Sequence, residues 1–298
     1  MNYQDFVHPE DAAALEKLKA VPGFDKASRW LMDVGFERLY HGMLMAQHVR
    51  LSKKQLPKIY GLLPPVCAKF GIDEPEFFLE MNPMPNAYTF GDRLRFLVVT
   101  SGLLDMIESE DELRSILAHE CGHIVCRHSF YNALINALLM VQGQVNILGK
   151  LLDPLVLALM YWARRSEFSA DRASVVYWGG ADTPINAMLR LAGGPTKLTK
   201  NIDVEEYARQ AEEYEALTGN SAWDRFLQGY AVMSNSHPFN AVRISEMRKW
   251  EQSGQFQTLK KAMVDGKFSR FCPQCGRAVA QEDVFCGYCG AKLQEVLT

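Results

Sequence analysis

The chain reads as an α+β fold, predominantly helical, with a small sheet of about three strands and a separate cysteine-rich module at the C-terminus. Three observations lead there. Apolar residues recur at helical spacing over most of 9–70 and again from 110 to 265. Between 75 and 100 the pattern shortens to strand-length runs bounded by Pro, Gly and Asn. The last stretch, 266–298, carries two Cys-x-x-Cys pairs. With 298 residues, 48% of them hydrophobic, there is ample material for a buried core. The expected division is a main domain over 1–265, with its core at 50–250 and a helical extension at 1–50, and a small module over 266–298.

The elements follow in order. Pro9 with Glu10 and Asp11 starts a helix, and Val21-Pro22-Gly23 breaks it. Phe24 to Arg50 is apolar at helical period. Ser52 can cap a further helix through Phe70, with Pro64-Pro65 bending or interrupting it and Gly71 as its stop. Phe77-Phe78-Leu79, Asn86 to Phe90 and Leu94 to Thr100 are the three strands. Ser109 and Glu112 form a capping box, and three acids favour the first turn, so a helix begins near 110 and can run past His128 toward Val141. Residues 129–149 carry no formal charge, but Asn132, Asn136, Gln142, Gln144 and Asn146 interrupt them. The expectation is a buried or surface-associated helical hairpin, not a membrane span. Asp153-Pro154 is a helix start, and that helix ends near Trp178 at Gly179-Gly180. Further helices are expected at 184–192, 204–217, 222–233, 240–252 and 256–265.

The chemistry lies in His119-Glu120-Cys121-Gly122-His123. On a helix His119 and His123 are one turn apart on one face, the separation two ligands of one metal ion need. Glu120 can reach a water on that metal as general base. A catalytic zinc needs a third ligand, and Glu167 is the candidate; Asp171, at i+4, can accept the far N–H of a ligand histidine. The competing explanation is that Glu167 and Asp171 merely pair with Arg164, Arg165 or Arg172 on a solvated face. Cys121, at i+2 from His119, points away from the ligands and, like Cys126, is a small core residue. His128 is expected to continue the helix surface, and His8, His41 and His48 show no partner pattern.

Ala118 to His123 followed by Ser166 to Asp171, with Asn82-Pro83, Asn86 to Thr89, Ser101 to Leu104 and Ser236-His237-Pro238, resembles the gluzincin zinc metalloproteases. The branch is that of the HtpX-like and CAAX prenyl endoproteases. The resemblance spans roughly 50–250 and implies a zincin-like catalytic domain. It also implies a catalytic zinc on His119, His123 and Glu167, Glu120 as the water-activating base, and an extended polypeptide substrate paired to the backbone at Asn86, Ala87 and Tyr88. By its match to the late His-Pro motif, His237 is the candidate oxyanion donor or a latent zinc ligand. The membrane enzymes of that family carry clear transmembrane helices, and this chain has none that is convincing.

Cys272, Cys275, Cys286 and Cys289 have the Cys-x2-Cys-x10-Cys-x2-Cys spacing of a short tetrathiolate ribbon, which implies a second, structural zinc and a docking role toward a protein partner. A segment this small folds on its metal. Net charge is −3 with both signs dispersed, so no basic stripe serves nucleic acid. Seven cysteines, four of them at knuckle spacing, and no signal peptide point to a reducing, cytoplasmic location, peripheral to a membrane at most. The functional expectation is a zinc endopeptidase in proteolysis or protein quality control. The alternative is a non-catalytic or latent peptide-binding, chaperone-like protein on the same fold, against which the intact Glu120 argues.

Overall fold

The computed structural model describes residues 6–21, 24, 28, 35–144, 146–218, 240–264, 270–272, 274, 278–279, 283–287 and 289–293. The chain opens with α1 (Pro9–Lys19) and α2 (Phe36–Gln47), then β1 (Val49–Arg50), α3 (Pro57–Tyr60) and α4 (Leu63–Phe70). The expected helix from Ser52 to Phe70 is therefore two helices. The second begins at the prolines, which supply no amide hydrogen and so fit a first turn. Gly71 ends it in the left-handed region at φ 64°.

The sheet has four strands where three were expected, in the order β1-β2-β4-β3, with β2 (Glu76–Glu80), β3 (Ala87–Phe90) and β4 (Phe96–Thr100). The added β1 is a two-residue antiparallel edge on β2. β2 and β4 run parallel, and β3 pairs antiparallel with β4 at the other edge. Alternation divides the side chains between two faces. Phe77, Leu97 and Val99 join the main core, while Phe78, Phe96 and Val98 pack with Leu44, Phe90 and Ala133 on the far side. β4 is buried along its whole length, which explains its unbroken apolar run.

α5 (Ser101–Met106) is capped by Thr100, whose hydroxyl accepts the Leu103 amide. α6 (Glu110–Val125) begins at the capping box, with Ser109 Oγ accepting the Glu112 amide at 3.1 Å. It does not continue toward Val141. It stops at Val125, Arg127 takes φ 63°, and α7 (His128–Gln144) starts anew. The uncharged stretch after α6 is thus a separate helix. Its partner α8 (Asn146–Trp178) is one long helix containing Asp153-Pro154, so that pair does not start a helix. Leu134, Ala137 and Leu138 of α7 and Val156, Leu159 and Trp162 of α8 bury against Ala14 and Leu18 of α1. This is the expected hairpin, covered by the N-terminal helix. Among the described residues no helix is long and apolar enough to cross a membrane.

α9 (Asp182–Gly193), α10 (Thr196–Thr199), α11 (Val204–Thr218), α12 (Asn240–Glu251) and α13 (Gly254–Val264) complete the helical part. The helix expected at 222–233 lies outside the described residues. A two-stranded hairpin, β5 (Arg270–Phe271) with β6 (Ala278–Val279), opens the C-terminal module. Its small core is Cys272, Val279, Cys286 and Leu293.

Candidate metal centre and catalytic cleft

α6 and α8 pack side by side because Gly122 has no side chain. A Cβ there would stand 2.6 Å from the Cβ of Ala173 and 3.2 Å from the Cα of Ala170. This close approach sets the histidine face of α6 against the acidic face of α8. Ser174 Oγ ties the helices by donating to the Ser115 carbonyl at 2.9 Å.

At this contact His119 Nε2 lies 3.4 Å from Glu167 Oε2, and His123 Nε2 lies 3.3 Å from Glu167 Oε1. The ligand atoms of His119, His123 and Glu167 all fall within 4.8 Å of one another. Bonds of 2.0–2.1 Å to a tetrahedral zinc put neighbouring ligand atoms about 3.3 Å apart, so the donor set has the right chemistry and spacing. Charge agrees. Glu120, Glu167 and Asp171 are buried, and Arg243 is the guanidinium buried with them. With neutral histidines, three carboxylates against one cation leave two negative charges, which a dication balances.

Behind the ligands, Asp171 Oδ1 is 3.0 Å from His119 Nδ1. Arg243, from α12, donates to both Asp171 oxygens, through Nη2 at 2.6 Å and Nε at 2.8 Å, and its Nη1 lies 3.2 Å from Glu167 Oε2. Burial would raise the Asp171 pKa, but Arg243 and His119 outweigh it and hold it down. Burial likewise disfavours charge on His119, yet Asp171 and Glu167 lift its pKa to about 10. Burial prevails at His123, whose pKa is lowered. A proton and a metal cation therefore compete for the same lone pair on His119.

The explanation by surface ion pairs fails here. Arg165 pairs with Glu10, Arg172 donates to the Val7 carbonyl and lies over Trp250, while Glu167 and Asp171 face the histidines.

Sequence reasoning missed three residues. Arg243 lies 72 positions beyond Asp171, and no local spacing links them. His128 does not continue a helix surface. It is buried, with Nδ1 3.0 Å from His123 Nδ1 and Nε2 3.0 Å from Asp11 Oδ2. The turn at Arg127 redirects the chain and brings His128 back over His123. Asp11 was legible only as a first-turn acid of α1. His8 and His41 also have carboxylate neighbours, Glu246 at 3.4 Å and Glu76 at 3.1 Å. Cys121 is fully buried, its sulfur 3.9 Å from that of Cys67, in keeping with a core role.

A cleft of about 540 Å³ reaches the cluster at His119; His123 and Glu167 do not line it. Asn86, Ala87, His119, Glu120, Asp171 and Arg243 are among the residues that line it. Tyr88 does not line it; its hydroxyl donates to Glu80 Oε2 at 2.9 Å. His237 lies outside the described residues. In the C-terminal module, the sulfurs of Cys272, Cys286 and Cys289 lie within 4.8 Å of one another, with Cys272 and Cys289 3.7 Å apart. That is close to the edge of a zinc tetrathiolate, about 3.8 Å for bonds of 2.3 Å. Cys275 lies outside the described residues. Gly290, at φ 73°, supports the tight turn after Cys289.

The sequence profile of peptidase family M48 matches residues 59–251, and that of a zinc-ribbon domain matches 271–293. The chain belongs to peptidase family M48. This M48 chain is a zinc metalloprotease of the HtpX-like kind with a C-terminal zinc ribbon, and its substrate is polypeptide. It is 27% identical over 265 residues to the plastoglobule-localized metallopeptidase 48 of Arabidopsis thaliana, covering 88% of this chain and 76% of the other. It is 26% identical over 266 residues to a protease HtpX homolog of Ralstonia pickettii, covering 78% and 86%. A crystal structure of S. mikatae Ste24p aligns at a TM-score of 0.41 and 18% identity, over 79% of this chain and 62% of that one.

Proposed function

We propose that the chain is an endopeptidase acting on extended, unfolded polypeptide in protein quality control. The observation that carries the reading is the meeting of His119, His123 and Glu167 within 4.8 Å, with His119 reaching a cleft that Glu120 also lines. His119, His123 and Glu167 hold the catalytic zinc. When bound, zinc supplies a Lewis acid that polarises the scissile carbonyl and acidifies water. Glu120 takes the water's proton and returns it to the leaving amide nitrogen. Asp171 fixes His119 with its proton on Nδ1, and Arg243 holds Asp171 in place. His237 is the proposed donor to the charge developing on the carbonyl oxygen. Asn86, Ala87 and Tyr88 are the proposed substrate-binding residues at the β3 edge; the Asn86 amide and carbonyl are bonded to Thr100, so Ala87 offers the outward backbone groups to an extended chain, a pairing largely indifferent to sequence. Cys272, Cys275, Cys286 and Cys289 hold a structural zinc in a module, 266–298, that docks a protein partner beside a peptidase domain over 1–265. Cysteine usage supports a cytoplasmic location.

Cleavage of casein tests the reading. Glu120→Gln should lose about 10²–10⁴-fold in rate while keeping its zinc. A variant that cleaves as fast as wild type would remove Glu120 from the mechanism. Retained binding of casein by a wild-type protein that never cleaves it would favour the chaperone-like alternative.

A further inference from the structure

Behind His123 runs a buried line of polar groups that the mechanism above does not use. His123 Nδ1 meets His128 Nδ1 at 3.0 Å, and His128 Nε2 meets Asp11 Oδ2 at 3.0 Å. Asp11 also accepts from Ser169 Oγ on Oδ2 at 2.6 Å and from Trp162 Nε1 on Oδ1 at 3.0 Å. Asp11, His123 and His128 are all buried. Asp11 belongs to α1, well before residue 59, where the family match begins.

With His128 neutral and a metal taking the lone pair of His123 Nε2, the donors and acceptors in this line allow one consistent arrangement. An ionised carboxylate only accepts, so His128 Nε2 must carry a hydrogen and donate it to Asp11. Neutral His128 then presents a lone pair on Nδ1. His123 must donate to it from its own Nδ1, which leaves the lone pair of His123 on Nε2, the nitrogen that faces Glu167. We propose that Asp11 and His128 are positioning residues for the metal centre. Through the line Asp11–His128–His123, the N-terminal helix holds His123 in the one tautomer that can bind zinc. This rests on His123 being a zinc ligand. It gives His123 a counterpart to the Asp171 contact at His119, built through one extra ring and from a different part of the chain.

Asp11→Asn tests the direction of the line. Trp162 Nε1 can only donate, so the new amide must turn its oxygen to Trp162 and its NH2 toward His128. His128 Nε2 then accepts, its Nδ1 donates, and His123 is left with hydrogen on Nε2, where a metal would bind. In the full-length zinc-loaded protein, long-range ¹⁵N–¹H spectra of labelled histidine should show His128 protonated on Nε2 alone in wild type and on Nδ1 in Asp11→Asn. Zinc affinity at this site, read by chelator competition, should fall about 10–100-fold. Cobalt substitution separates the two sites, since only the cysteine site gives thiolate charge-transfer bands. His128→Phe keeps a ring against Trp162 but removes both hydrogen bonds, and should lose affinity to a similar extent.

Wild-type His128 carrying a hydrogen on Nδ1 in the zinc-loaded protein would overturn the proposal. So would an Asp11→Asn or His128→Phe protein that melts at a lower temperature yet binds zinc within twofold of wild type. Should Asp11→Asn not fold, the wild-type spectrum and His128→Phe decide alone. His123→Ala is the control. If it keeps its thiolate-free cobalt site, the ligand assignment itself has failed, whatever the relay variants show.

Discussion

Arg243 lies between Asp171 and Glu167, and both carboxylates are buried with it. Removing it leaves buried negative charge without its guanidinium. Arg243→Met should therefore destabilise the zinc-free protein by about 3–5 kcal/mol, with part of the loss recovered on adding zinc. Denaturant midpoints with and without zinc measure this; equal losses in both states would mean that Arg243 does not share its charge role with the metal. Arg243→Lys should not rescue, because an ammonium cannot reach both Asp171 oxygens as the planar fork does. A second residue-scale effect lies at Glu246. The bond to His8, then Lys249, holds its pKa down at about 2, against an ordinary 4.5. Protonation is thus harder in the folded state. The stability it contributes is whole above about pH 5 and is lost as the pH falls toward 2. Glu246→Gln should differ from wild type by less than about 1 kcal/mol at pH 6, a difference that vanishes near pH 2. A difference that grows on acidification would reverse the sign.

The pairing of α6 with α8 carries the site, and one glycine permits it. In Gly122→Ala the helix gains propensity worth up to about 1 kcal/mol, but the new methyl meets Ala173 at 2.6 Å. Overpacking of that kind costs about 1–3 kcal/mol, so a net loss of stability is expected. The helices must also separate, which moves both histidines away from Glu167 and weakens zinc binding. Adding Ala173→Gly should restore much of both, as read by thermal melting and zinc competition. Unchanged zinc affinity in the single variant would show that α6 and α8 do not need this approach. At this scale the HExxH pentad and the Glu167–Asp171 pair were visible from i, i+4 spacing, because both lie within single helices. The end of α6 was not. Nothing in Cys126-Arg127-His128 marks a stop of the glycine kind, yet Arg127 takes the left-handed conformation a glycine usually fills, and His128 turns inward.

Across the whole molecule, two metal centres of different chemistry are expected. Metal analysis of the fully loaded protein should find two zinc ions per chain. Cys272→Ser with Cys289→Ser should lower this to one while casein cleavage continues, because the ribbon's thiolates lie outside the cleft. Loss of both ions in that variant would show that the two parts fold as one. The helical content, the small sheet before α6 and the cysteine module were legible because each rests on a local pattern. The fourth strand was not, since β1 is two residues long and exists only by pairing with β2.

The sequence by itself determined the chemistry: two histidines a helical turn apart, a glutamate between them, an acidic pair on a later helix and two cysteine knuckles. These are short-range arrangements: helical geometry relates the histidines, the glutamate and the acidic pair, and the two-residue gap of a knuckle relates the cysteines. Tertiary structure decided what surrounds that chemistry. Arg243 reaches Asp171 from 72 positions away, and Asp11 reaches the ring of His128 from the first helix. Such contacts join residues that no periodicity connects. They arise because a buried carboxylate or imidazole must find its partner wherever the packed helices bring one within hydrogen-bonding distance.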